Sequence, residues 1–159
     1  MSRWARNRCV ALHASLLLLL LTAASPGLAA DSTWVEGRWI SGDGSGFIDI
    51  QLQNDSPVGR IAGSTNKAEA AEPGRQDALN PDPALRSRPL LNLTILQGFK
   101  SGGDGKWKDG RIYDPNSGKT YKCNITIVDR NTLNVRGYIG IALAGRTETW
   151  VRENGDNLH

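Results

Sequence analysis

The sequence predicts an all-β protein, a single antiparallel meander of roughly eight strands that closes into a small barrel. Two observations predict this fold class: apolar and polar side chains alternate along the chain, and turn-forming residues separate the alternating segments. Alternation is typical of strands buried on one face, and short turns indicate antiparallel neighbours joined by hairpins. An open sandwich satisfies the same pattern, but sequential hairpins favour the barrel because closure removes exposed edges.

The alternation is clear in four segments and weaker in four more. The clear segments are 48–52, 91–95, 121–127 and 133–135, and the weaker ones are 34–40, 58–63, 106–113 and 145–152. Clusters of Gly, Asp, Asn, Pro and Ser separate them at 42–46, 114–118 and 129–131. These residue types tolerate or pre-set turn conformations, so each cluster predicts a reversal of the chain.

One long connection interrupts the meander at residues 64–90. Its four prolines, at positions 73, 81, 83 and 89, are incompatible with regular sheet. We expect its first part, 64–76, to be mobile, with at most a short helical stretch at 67–71. Its second part we expect to be ordered, because prolines fix φ and Asp and Asn side chains bond to backbone amides.

Residues 1–29 have the layout of a secretory signal. Three arginines precede a short apolar run at 16–21, and small residues follow up to Ala29. The apolar run is too short to span a bilayer, and no later stretch is apolar enough to do so. The sequence therefore predicts a periplasmic or secreted protein whose residues 30–159 form one domain with a loose tail at 153–159. A retained N-terminal anchor is the alternative.

The charge of the chain comes from its N-terminal segment. The sequence has 19 basic and 16 acidic residues, and Arg3, Arg6 and Arg8 account for the difference. Residues 30–159 are therefore formally neutral. A neutral domain lacks the field that attracts nucleic acid or anionic lipid, so we predict no nucleic-acid partner.

The residue types present beyond position 29 disfavour several kinds of catalytic and metal-binding site. Beyond residue 29 the chain has one histidine, His159, and one cysteine, Cys123. Histidine-based catalysis, histidine-containing zinc sites and Cys–His nucleophiles are therefore disfavoured, although Asp, Glu and Tyr remain as acids and bases. No cofactor motif is present: residues 117–120 match the end of a P-loop, but Tyr113 occupies the position of its first glycine. Cys123 alternates with apolar residues, which predicts a buried, unreactive thiol.

Several polar and aromatic residues are candidates for a binding site. Asp77, Asn80 and Asp82 are possible oxygen ligands for a hard cation, but backbone capping and pairing with Arg86 or Arg88 is the favoured interpretation, and we predict no metal. The two arginines are alternatively partners for an anionic ligand. Asp109, Asp114 and Glu148 are weak candidates for a hydrolytic carboxylate pair. The aromatic residues, among them Tyr113 and Tyr138, either line an apolar pocket or fill the barrel.

Five sequence motifs carry a resemblance to a known family. They are Gly37-Arg38-Trp39, residues 77–96, residues 107–121, residues 133–140 and residues 149–152. Together they resemble a family of exported bacterial proteins, domain of unknown function 2147, over about 34–152. The resemblance implies a lipocalin-like, or calycin-like, barrel and an extracytoplasmic location, and it implies no activity. Asn92 departs from the family pattern, where a glycine is expected.

The resemblance also implies a role for three residues at one end of the barrel. Gly37-x-Trp39 is similar to the opening motif of lipocalins, whose tryptophan lies at the closed end beneath an arginine of the last strand. Arg152 matches that arginine by position. An aromatic ring packed in this way fills the end of a small barrel whether or not a ligand binds.

Three functional hypotheses follow from the sequence. The first is a module that binds a small, partly apolar ligand, with the loop 77–90 near the mouth of the barrel and Asp77, Asn80, Asp82, Arg86, Arg88, Tyr113 and Tyr138 as candidate contacts. The second is a non-catalytic module with a filled barrel that interacts with an unidentified envelope protein through 64–90. The third is a hydrolase that works without histidine, which the residue inventory disfavours.

Overall fold

The computed structural model describes residues 30–66 and 74–154, which form nine strands and three short 3-10 helices. The strands are β1 Gly37–Ile40, β2 Gly46–Gln53, β3 Ser56–Ser64, β4 Thr94–Gln97, β5 Lys100–Gly103, β6 Lys106–Asp114, β7 Lys119–Asp129, β8 Thr132–Tyr138 and β9 Arg146–Arg152. The helices are Ser32–Val35, Pro83–Leu85 and Ala142–Ala144. The proposed signal at 1–29, the short helical stretch at 67–71 and most of the tail lie outside the described residues. None of the described helices is long and apolar enough to cross a membrane.

The strands form a closed antiparallel barrel. Neighbours in sequence pair along the sheet, β1 pairs with β9, and a pairing between β4 and β6 completes a ring of eight strands. The short β5 pairs with β6 as an additional strand. The predicted eight-stranded barrel is therefore confirmed, and the sandwich alternative is wrong because the ring closes.

The antiparallel order gives the barrel two different ends. Residues 41–45, 65–66, 74–93, 115–118 and 139–145 lie between strands at one end, which we call the open end. Residues 30–36, 54–55, 104–105 and 130–131 lie at the other, which we call the closed end. The described part of the long Pro-rich connection therefore lies at the open end of the barrel.

The hydrophobic core consists of the apolar residues that alternate with polar ones along the strands. One face of each strand turns inward, as in β7, where Cys123, Ile125 and Ile127 are buried and their neighbours are partly or fully exposed. Cys123 has no exposed surface, and burial, with a smaller effect of the Glu148 charge, raises the pKa of its thiol to about 12. The prediction of a buried thiol is therefore confirmed, and a protonated, enclosed thiol is expected to be a poor nucleophile.

Two details differ from the sequence prediction. Residues 91–93 form a turn rather than the start of a strand, and β4 begins at Thr94. Asn92 has φ of 64° in this turn, a left-handed conformation in which Asn is tolerated better than most residues. This explains why Asn can stand where the family pattern has glycine. The second difference is β5, whose exposed residues show no alternation.

Candidate functional site

The closed end is sealed by Trp39 and Arg152. Trp39 is fully buried, and its Nε1 donates a hydrogen bond of 2.9 Å to the Val35 carbonyl. The guanidinium carbon of Arg152 lies 4.3 Å from the centroid of the Trp39 ring. Its nitrogens donate to the carbonyls of Glu36 at 2.8 Å and Arg130 at 2.7 Å, and also to that of Trp34.

Gly37 is required beside this arginine. Its φ of 122° is accessible to glycine alone, and a Cβ at this position would collide with Nη1 of Arg152. Burial lowers the pKa of Arg152, but an arginine remains charged at any physiological pH. The structure thus places Gly37, Trp39 and Arg152 together as packing, with no opening for a ligand between the ring and the guanidinium.

Four of the candidate residues form one partly buried cluster at the open end, which we call the Asp77 cluster: Asp77, Asn80, Arg88 and Tyr113. The Asp77 side chain has no exposed surface. Its carboxylate accepts hydrogen bonds from Tyr113 Oη at 2.5 Å, Asn80 Nδ2 at 2.7 Å and Arg88 Nε at 2.9 Å. Because Tyr113 belongs to β6 and the other three residues to the long connection, the cluster fastens that connection to the barrel.

The electrostatics of the Asp77 cluster favour a structural role. Burial raises the pKa of the Asp77 carboxyl, but the hydrogen bonds from Tyr113, Asn80 and Arg88 outweigh this effect, and the net pKa lies below its ordinary value. Burial and the Asp77 charge raise the pKa of Tyr113. At neutral pH the carboxylate is therefore ionised and the phenol protonated. Because the pKa of Asp77 is lowered and that of Tyr113 is raised, neither group changes its protonation state near neutral pH. Asp77 therefore remains a hydrogen-bond acceptor and Tyr113 a donor, which suits a structural role better than acid–base catalysis.

This pKa shift predicts an acid-sensitive stability. A carboxyl whose pKa is lower in the folded state stabilises the fold at pH above its unfolded pKa, and this contribution is lost as pH falls through the folded-state value. We expect the melting temperature of the wild type to exceed that of Asp77→Asn near neutral pH, and the gap to narrow at about pH 3 and below. Differential scanning calorimetry of both proteins across this range measures the gap. A gap that is constant with pH would contradict the assignment of the shift to Asp77.

The remaining candidates have separate roles. The Asp82 carboxylate accepts from Ala84 N at 2.9 Å and so caps the helix Pro83–Leu85, while Arg86 Nε donates to the Asn80 carbonyl at 2.8 Å. Tyr138 is buried at the end of β8 and is not among the hydrogen-bond partners of the Asp77 carboxylate. Asp77, Asn80 and Asp82 do not converge as cation ligands, and no group of three His, Cys, Asp or Glu in 30–66 and 74–154 is placed to hold a metal.

A cavity of about 840 Å³ occupies the barrel and opens at the open end. Its wall is mainly aliphatic and aromatic, and includes Ile48, Ile61, Ile95, Ile112, Val135 and Trp150. Polar side chains surround the mouth, among them Ser41, Asp43, Arg75, Asn116 and Arg146. The volume is within the range of natural ligand sites, roughly 300–1,000 Å³. Of the candidate contacts named from the sequence, Tyr113 is the one that lines this cavity.

The inner face of β9 carries polar groups into the cavity wall. Arg146, Glu148 and Trp150 alternate along the strand and all three line the cavity, with Arg146 nearest the mouth. Glu148 packs against Gly42, where a Cβ would lie 2.5 Å from Glu148 Cβ and 3.2 Å from its Oε2. Trp150 Nε1 is buried and has no hydrogen-bond acceptor among the described residues. The period-two pattern of 145–152 already implied that these side chains share a face, but not that the face borders empty space.

The closed ring, the tryptophan sealed beneath an arginine and the cavity open at one end define a lipocalin-like barrel. The chain belongs to the family of uncharacterized proteins conserved in bacteria, DUF2147, whose model matches residues 37–152. Among solved structures it is similar to protein HP1028 of Helicobacter pylori, which is described as a member of the lipocalin family. The TM-score is 0.62 at 23% identity, over 71% of this chain and 75% of that chain, a likeness of fold. A comparison with curated protein sequences finds no match.

Proposed function

We propose that this protein binds a small, partly apolar molecule inside its barrel and acts outside the cytoplasm. The observation that carries the proposal is the cavity of about 840 Å³ with its largely apolar wall. A cavity of this size is far larger than one water molecule and is not occupied by the side chains that line it. Transfer of an apolar ligand from water into such a cavity is favourable. The extracytoplasmic location is supported by the signal-like sequence of residues 1–29.

Gly137 offers a direct way to test the cavity. It lies on the inner face of β8 and lines the cavity, and a Cβ there would meet its nearest neighbours, Ile112 Cγ2 and Tyr121 Cβ, at an ordinary 3.9 Å. A larger side chain at this position therefore enters the cavity without a clash at its first carbon. Gly137→Leu is expected to block ligand binding while the barrel stays folded.

The test uses the neutral apolar fluorophore N-phenyl-1-naphthylamine as probe. We expect the wild type to bind it and Gly137→Leu to bind it at least about tenfold more weakly, because the added side chain occupies the site. Thr149→Leu adds a similar side chain on the exposed outer face of β9 and is the matched control, expected to bind as the wild type does. Equal binding by Gly137→Leu and the wild type would place the probe elsewhere and remove the support for a barrel site.

A further inference from the structure

Among the described residues that line the cavity, Glu148 is the charged one set into the wall on the inner face of β9, one inward-facing position from Arg146 at the mouth. The other walls contribute aliphatic and aromatic side chains at this depth, such as Ile48, Ile95 and Val135. Among the carboxylates that line the cavity, Asp43 and Asp114 accept hydrogen bonds from serine and backbone groups of their own turns. None of the hydrogen bonds or ion pairs of the described residues involves Glu148.

The surroundings of Glu148 shield one side of its side chain from water. The backbone of Gly42 packs directly against it, Trp150 lies on the same strand face, and its charge is felt by the buried Cys123 thiol. A partly desolvated carboxylate without a donor loses free energy that a hydrogen-bonding cation restores. Trp150 Nε1 also lacks a partner among the described residues, but it is enclosed and carries no charge. Of the two charged side chains of β9 that line the cavity, Arg146 is exposed to solvent and Glu148 is partly buried.

We propose that the cavity selects ligands that join an apolar body to a hydrogen-bond-donating cationic group, such as a primary amine, held by Glu148. This inference rests on the proposed function, because it concerns the chemistry of the molecule in that cavity. The apolar body lies against Ile48, Ile95 and Ile112, and the ammonium group donates to the Glu148 carboxylate near the mouth. The pairing is stronger than at the surface because one side of the carboxylate is shielded from water.

Rim arginines oppose this selection only weakly. Arg146 and Arg75 also line the cavity and attract anions, but both are exposed at the mouth, where water and salt screen their charges. Arg75 donates to Asn116 Oδ1 at 3.5 Å. The partly shielded carboxylate therefore dominates the preference of a ligand that enters the barrel.

The experiment compares three probes of equal chain length: dodecylamine, dodecanol and dodecanoate. Each is used below its micelle concentration at neutral pH and low salt, in competition with N-phenyl-1-naphthylamine. We expect the wild type to bind dodecylamine at least about tenfold more tightly than dodecanoate. Glu148→Gln is expected to reduce that ratio about tenfold and to leave the dodecanol affinity within about twofold.

Asp109→Asn is the matched control for loss of one carboxylate. Asp109 is exposed on β6, is paired with Lys100 at 3.6 Å and does not line the cavity, so the amine preference should persist. Failure of dodecanol and the fluorophore to bind would overturn the proposed function itself. Binding of dodecanol without an amine preference in the wild type, or an unchanged preference in Glu148→Gln, would overturn this inference alone.

Discussion

Replacement of Trp39 by alanine is expected to lower the free energy of unfolding by at least about 3 kcal/mol, the cost of a large aromatic truncation in a core. The indole is fully buried, donates to the Val35 carbonyl and is covered by the Arg152 guanidinium. Truncation therefore leaves a cavity, an unpaired carbonyl and a cation that has lost its aromatic contact. Urea denaturation followed by circular dichroism measures the change.

Trp34→Ala is the comparison for Trp39→Ala. Trp34 is only partly buried and lies beneath Arg130, 4.7 Å from the guanidinium carbon to the ring centroid. We expect Trp34→Ala to lower the free energy of unfolding by about 1–2 kcal/mol. The loss is smaller because Trp34 buries less apolar surface than Trp39 and because its contact with Arg130 is exposed to water. If Trp39→Ala melts at the wild-type temperature, Trp39 does not seal the barrel.

Replacement of Asp77 by alanine is expected to destabilise the fold by about 3 kcal/mol. The substitution leaves the Tyr113 hydroxyl, the buried Asn80 amide and the partly buried Arg88 guanidinium without their common acceptor. The connection over 74–93 then loses its attachment to β6. Chemical denaturation reports the energy, and amide hydrogen exchange of 74–93 reports the local release.

Asp82→Ala is the control that distinguishes the anchoring role of Asp77 from the loss of an ordinary helix-capping hydrogen bond. Asp82 lies in the same connection but makes one capping bond to Ala84 N, so its loss should cost about 1 kcal/mol and leave exchange at 74–80 unchanged. Equal effects of the two alanine variants would mean that the Asp77 cluster does not anchor the connection.

The barrel could be predicted because the inward-facing residues of most strands are apolar and alternate with polar residues in the sequence. Strands such as β7 alternate over many residues, and a shift by one residue would bury every polar side chain. This dependence on alternation also explains the two wrong predictions, the missed strand β5 and the early start assigned to β4. Residues 100–103 are exposed throughout and have no pattern to detect, while Leu91 and Leu93 have the right spacing but flank a left-handed Asn92.

The candidate site could be predicted only in part, because sequence gives proximity along the chain and not through space. The spacing of Asp77, Asn80 and Arg88 indicated a polar cluster, but its partner Tyr113 and its role as an anchor depend on how the connection folds back. The cavity is harder to predict. Its volume depends on the size of the side chains that line it, including the absent side chain of Gly137, and the position of Glu148 beside it is not visible in the sequence.

The pairing of the first strand with the last constrains when the protein can fold. Strand β1 meets β9, and Arg152 bonds to the carbonyl of Trp34, 118 positions earlier in the chain. A nascent chain that still lacks β9 has a sheet with two unpaired edges and a tryptophan without its arginine. Because distant contacts must be assembled before they stabilise anything, we expect slow folding that is completed only after synthesis of the whole domain.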